Sequence, residues 1–149
     1  TSQYNSAVAH VDIFSTVLAA AGVEQPGDRV IDGVDLMSYV MAEPQIALDR
    51  PLYWRTGDYK VVQQNGWKLQ LQERNGMTWL YNLNEDPTEQ SNLSEAMPEK
   101  LVELTEVLYE LDNGMVEPLW PALSQGRITV DHTLRAPPEG EHEMVIWTN

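Results

Sequence analysis

TGDYKVVQQNGWKLQLQERNGMTWLYNL, residues 56–83, alternates apolar and polar side chains with a period of two. Asn65-Gly66 favours the positive backbone angles of a tight hairpin turn, and alternating residues flank it. Trp67, Leu69 and Leu71 fall on one face; Lys68, Gln70 and Gln72 fall on the other. Asn75-Gly76 repeats the device before Trp79, Tyr81 and Leu83. Strands are expected near 52–55, 59–64, 67–73 and 77–83, giving an antiparallel meander of three or four strands.

An apolar face of that size needs a cover, and the sequence supplies one just downstream. Pro98 suits the first turn of a helix, where its missing amide costs nothing. Leu101, Leu104, Leu108 and Leu111 then form an apolar stripe, with Glu99, Glu103, Glu106 and Glu110 facing water, and Asn113-Gly114 ends the helix at 112. Upstream, Asp12 is the expected N-cap of a helix over 12–21, stopped at Gly22. Ile13, Val17, Leu18 and Ala21 make that helix apolar around most of its circumference, so it wants covering on more than one side. Asp35 caps a short helix over 35–42 that Pro44 terminates. Residues 115–149 hold Pro118, Pro121, Pro137 and Pro138 and no clear period, which predicts an extended tail packed through Trp120 and Trp147. The division is 1–49, 50–112 and a tail, 113–149.

The 149 residues suit one domain or part of a larger one. Nine basic against 23 acidic side chains give a formal charge of −14, a field that repels nucleic-acid phosphates and anionic membrane surfaces. The charge is uneven: Arg50, Arg55, Lys60, Lys68 and Arg74 stand in 50–74 beside only Asp58 and Glu73. There is no cysteine, which excludes disulfides, thiolate metal sites and a cysteine nucleophile. No apolar run reaches the ~20 residues of a membrane-spanning helix, and no signal peptide is visible. Because the chain opens on Thr1, a start further upstream is expected.

Few residues present themselves as chemistry. His10 and Asp12 read as a packed histidine and a helix cap, since one pair supplies too few metal ligands. His132 and His142 lie among acids in the tail and read as solvated. Glycine-rich phosphate loops and a G-x-S-x-G elbow are absent. Asn92-Leu93-Ser94 matches a glycosylation acceptor but is short enough to arise by chance. The stretch of most interest is Tyr53-Trp54-Arg55-Thr56-Gly57-Asp58-Tyr59-Lys60. Arg55 there can hold an anionic oxygen pair, and Trp54 or Tyr59 can stack on a ring. The plainer alternative is a strand–turn–strand braced by an Asp58 salt bridge.

Taken in order, several stretches resemble the sulfatase family of the alkaline-phosphatase-like superfamily. Ala9-His10-Val11-Asp12-Ile13-Phe14-Ser15-Thr16-Val17-Leu18, Ala21-Gly22 and Asp32-Gly33-Val34-Asp35-Leu36 are similar to its "hVDhxPThhxhAG" helix and "DGxxLxPhL" loop. Arg50-Pro51-Leu52-Tyr53-Trp54-Arg55, then Tyr59-Lys60-Val61-Val62 and Gly66-Trp67-Lys68-Leu69, resembles its "Y(K)hhxxGxWKLh" hairpin. Leu80-Tyr81-Asn82-Leu83, Asp86-Pro87-Thr88-Glu89 and Asn92-Leu93 resemble "LYDLxxDPxExxNL", the most specific of the set. Ser15 and Ser38 stand where the family often has proline, and Asn82 where it often has aspartate. The resemblance covers residues 8–112 and leaves 115–149 unmatched.

The resemblance implies an α+β chain: a small antiparallel sheet of about four strands covered by a C-terminal helix, with 1–49 belonging to the large α/β domain of a sulfatase. Sulfatases hydrolyse sulfate esters with a formylglycine made from the Cys or Ser of a C/S-x-P-S-R motif, together with a calcium ion. That motif is not in this chain. Formylglycine, calcium and the catalytic residues are therefore expected in an upstream part, and no catalytic or metal-binding residue transfers to this sequence. Within this piece the 53–60 loop is the candidate lining of the substrate cleft, with Arg55 expected to steer the anionic group and Trp54 or Tyr59 to contact the organic part. The expected partners are the upstream sulfatase domain and a small sulfate ester, not nucleic acid or membrane, and the isolated chain is expected to self-associate. A periplasmic or secreted location follows from the resemblance alone. Two rivals stand beside it: a free-standing acidic interaction module, and part of a related phosphodiesterase or phosphonate hydrolase.

Overall fold

The computed structural model describes residues 4–119. The chain forms two compact units, one Thr1–Arg50 and one beginning at Pro51. The predicted tail contacts of Trp120 and Trp147, and the tail histidines His132 and His142, lie outside the described residues.

The first unit holds helices α1 (Asp12–Ala20) and α2 (Leu36–Val40). Gly22 ends α1 in the left-handed conformation at φ 67, with its amide on Ala19 O and that of Val23 on Leu18 O, as a glycine at this position permits. Asp35 accepts from the Met37 amide and caps α2 as expected.

Asp12 departs from its expected role. Val11 occupies the cap with helical angles, and Asp12 is the first helical residue. Its carboxylate turns away from the helix's own free amides. It accepts from Ala9 N at 2.8 Å and Val34 N at 3.1 Å, and pairs with Arg50 Nη2. The side chain is fully buried, and a buried carboxylate persists only when so many donors converge on it. His10, expected to pack, is exposed: it precedes the helix, and the interior position two residues on is taken by Asp12. Ser15 Oγ donates to Gly33 O and Thr16 Oγ1 to Asp12 O, while Thr16 Oγ1 accepts from Leu36 N. These bonds fasten the 31–36 loop to α1.

The second unit is the meander plus its cover: β1 (Leu52–Thr56), β2 (Tyr59–Gln64), β3 (Trp67–Gln72), β4 (Met77–Asn82) and α3 (Pro98–Gly114). The strands pair antiparallel in chain order. Asn65 and Gly66 turn with φ of 50 and 78, the positive pair that an Asn-Gly hairpin needs. Register aligns Tyr53, Val62, Leu69 and Leu80 across the sheet. On that row α3 lays Leu104 and Leu108, both fully buried, with Leu101 and Leu111 at the margin. The next row, Trp54, Val61, Gln70 and Trp79, faces the opposite way. There Tyr59, Val61, Trp79 and Tyr81 form a second buried cluster. The helix runs to Gly114, two residues beyond the expected end, because Gly114 does not take the left-handed angle that would have stopped it.

Gly33 is held where a side chain cannot fit. A Cβ there would stand 2.1 Å from the Val11 carbonyl oxygen. Gly33→Ala is expected to lower unfolding stability by about 1–3 kcal/mol in denaturant titration, as overpacking does. Gly27→Ala, with nothing within 4 Å, is the control and is expected to stay within about 0.5 kcal/mol of wild type.

Candidate functional site

The hairpin 53–60 is where the sequence places its candidate site, and strand alternation decides what it presents. Tyr53 and Arg55 point to the α3 face; Trp54 points to the other, where it packs against the aromatic cluster containing Tyr59. Arg55 is therefore separated by the sheet from Trp54 and Tyr59, and the three do not converge. The Arg55 guanidinium donates from Nη1 to Asp112 Oδ1 at 2.8 Å and from Nη2 to Val116 O at 2.9 Å. Tyr59 is 3% exposed, and its hydroxyl donates to Gln70 Oε1. Trp54 is partly buried. At the turn, Asp58 pairs with Arg74, the bracing salt bridge of the plainer reading.

What the hairpin does build is a polar cluster centred on Asp112. Its Oδ1 receives Tyr53 OH at 2.6 Å as well as Arg55, and its Oδ2 receives Lys60 Nζ at 2.6 Å. Lys60 also donates to Glu73 at 2.8 Å and lies 5.5 Å from the Tyr109 ring. Burial alone would raise the Asp112 carboxyl, but the bonds from Lys60, Tyr53 and Arg55 outweigh it and hold the group below the usual carboxylate range. Lys60 is likewise penalised by burial yet raised by Asp112 and Glu73. Burial first, then Asp112, pushes the Tyr53 phenol up, so it stays a neutral donor. Three donors hold the carboxylate ionised and fixed in place. The cluster ties β1 and β2 to the end of α3.

Asp112 is a site residue that sequence reasoning missed, although a signal was present. It stands four residues past Leu108 and eight past Leu104, on the buried stripe of α3, where an acid demands partners. The run of acids over 85–112, most of them solvated, masks that position.

The motifs that carry the family resemblance act as locks. Asp86 accepts from Gln90 N and Ser91 N and closes the turn after β4. Glu89, at φ 57, reaches back to the second sheet face, where it takes Lys68 Nζ and Gln70 Nε2, each at 2.6 Å. Gln70, 1% exposed, is thereby satisfied at both ends of its amide. Leu93 packs on the core beneath α3. Among the described residues no group of three or more His, Asp or Glu could hold a metal, and the fully buried Asp12 is saturated by two amides and Arg50. Calcium and formylglycine do not fit these described residues.

No protein-family model matches the chain. Curated proteins do. N-acetylgalactosamine-6-sulfatase of Mus musculus is 44% identical over 48 residues, 32% of this chain and 9% of that protein. Its Canis lupus familiaris counterpart is 46% identical over the same length. Among solved structures, Ps i-CgsB superposes with TM-score 0.66 and 20% identity over 78% of this chain and 26% of that one. A protein solved in complex with its substrate D-glucosamine-2-N,6-O-disulfate superposes with TM-score 0.54 and 22% identity, over 68% of this chain and 23% of its own. Those two likenesses carry the fold. The chain thus spans about a quarter of these structures and 9% of the curated relatives it matches.

Tested at its centre, the cluster should respond to pH in a defined direction. The Asp112 carboxyl is lowered in the folded state, against about 3.9 when unfolded. Its stabilisation is present above the unfolded value and is lost as pH falls through the folded one. Asp112→Asn is expected to cost about 1.5–3 kcal/mol at pH 7, the range for hydrogen bonds to a charged group. In urea titrations at several pH values, the gap to wild type should narrow below about pH 4.

Proposed function

We propose that this chain, a sulfatase-family sequence over its matched part, is the C-terminal portion of a sulfatase that hydrolyses sulfate esters. In this reading it supplies structure and part of the cleft wall, while the reactive centre, with its formylglycine and calcium, belongs to the rest of the protein. The relatives' names support the family and hydrolase chemistry at that coarse level. The order of motifs from residue 8 to residue 112 supports the C-terminal placement.

One observation carries the reading. Helix α1 is locked into its unit by Asp12 and Ser15, both fully buried, yet it exposes Ile13 (62%), Phe14 (49%) and Val17 (59%). Val8, Met37, Met41 and Ile46 of the same unit are exposed as well. An apolar face held so rigidly and left open is the usual mark of a surface made to be covered. The large sulfatase domain is the proposed cover, and without it the isolated chain self-associates.

For the cleft, the partly exposed Trp54 is the residue proposed to contact a substrate's organic part. Tyr59, held by Gln70, packs in the same cluster as Trp54, while Asp112 holds Arg55 on the other face. An aryl sulfate assay tests both levels. The full-length protein should turn over and the purified 149-residue chain should not; turnover by the chain alone would place the reactive centre within it. In the full-length protein, Trp54→Ala is expected to cost about tenfold in kcat/KM, mainly through KM. Unchanged kcat/KM in both Trp54→Ala and Arg55→Ala would remove the hairpin from the cleft. By light scattering, a clean monomer of the isolated chain with α1 helical would count against the covered face.

A further inference from the structure

The Asn92-Leu93-Ser94 acceptor triplet occupies a telling place. Strand β4 is the last of the sheet, so its outer edge would otherwise present unpaired amides and carbonyls. Asn92 meets that edge with its side-chain amide: Oδ1 accepts from Leu80 N at 3.0 Å, and Nδ2 donates to Thr78 O at 3.1 Å. Leu93 N continues the pairing to Leu80 O at 2.8 Å, and Ser94 N donates to Asn92 Oδ1 at 3.0 Å. Leu93 then turns into the core.

We infer that Asn92 is the clasp closing the β4 edge, and that the same bonds close the triplet to N-glycosylation once the chain has folded. Burial does not do this, because Asn92 is exposed as a residue. The geometry of the amide does. A side-chain amide that both accepts from one strand residue and donates to the carbonyl two residues back uses the Nδ2 hydrogen lying on the same side as Oδ1. Glycosyl transfer from a lipid-pyrophosphate sugar donor replaces one Nδ2–H bond with a bond to the sugar's anomeric carbon; the lipid pyrophosphate departs and the amide proton is lost. The product is a secondary amide, which strongly prefers trans. That preference puts the sugar carbon in place of the hydrogen given to Thr78 O. A glycan at Asn92 and a closed β4 edge therefore exclude each other.

The test uses the full-length protein expressed in a glycosylating eukaryotic host, with Asn92 occupancy read by mass spectrometry after enzymatic deglycosylation. Soluble, folded wild-type protein is expected to carry no glycan at Asn92. Leu69→Ala, which weakens the sheet core, is expected to gain occupancy because the edge stays open for longer before it closes. Hydrogen exchange reads the clasp directly: Asn92→Ala should speed exchange of the Leu80 amide by more than about tenfold, the loss expected for a hydrogen bond of this kind, while Ser94→Ala, which destroys the acceptor triplet but leaves the Asn92 amide, should not. Folded wild-type protein glycosylated at Asn92 would overturn the inference. So would a Leu69→Ala variant that stays unmodified, or a Leu80 amide equally protected in Asn92→Ala.

Discussion

A carboxylate on the buried stripe of a helix governs the second unit. Asp112 stands where the spacing of Leu104 and Leu108 calls for another apolar side chain. Removing a carboxylate from water is costly, so the fold must bring donors to it. Tyr53, Arg55 and Lys60, from two strands, supply them. The consequence reaches further than one ion pair: the first hairpin and the end of α3 take up a single relative placement. Leucine contacts alone would leave that sliding freedom, because dispersion has little directional preference.

The first unit solves a similar problem with a similar device. Asp12 is fully buried at the start of α1 and gathers Ala9 N, Val34 N and Arg50. A loop more than twenty residues away in sequence is drawn against the helix. Gly33 and Ser15 complete the seat, one by having no side chain and the other by giving its hydroxyl to the Gly33 carbonyl. Both units thus place one desolvated carboxylate on a helix and make the surrounding chain satisfy it. The motifs that tie this sequence to sulfatases, Val11-Asp12 with Asp32-Gly33 and Asp86 through Leu93, mark these seats and clasps.

That accounts for how a chain can resemble an enzyme family over part of its length while its described residues present no reactive constellation. Several side chains in the matched stretches make hydrogen bonds that fix strands and loops. Arg55 is held by Asp112 and Val116, Glu89 by Lys68 and Gln70, and Asp12 by Arg50. What the arrangement offers outward is shape, in the apolar side chains of α1 and the ring of Trp54.

Local pattern is enough for the meander, its Asn-Gly turn and the stripe of the covering helix, because strand alternation, turn angles and helical period depend only on near neighbours in sequence. The α3-facing side of β3, Leu69 with Leu71, follows from the same period. Three things do not follow. Asp12 reads as a cap because its first-turn position suits capping; Val34 and Arg50, distant in sequence, join Ala9 in drawing its carboxylate elsewhere. Arg55, Trp54 and Tyr59 look like one cluster because they are close along the chain, but the pleat sends alternate residues to opposite faces and parts them. Asp112 looks like one acid among many until the helix is laid on the sheet. The sequence by itself determined which segments are strands and helices and which faces are apolar. Tertiary structure decided which buried charges meet, since the partner of a desolvated group is set by what packing brings within hydrogen-bond reach.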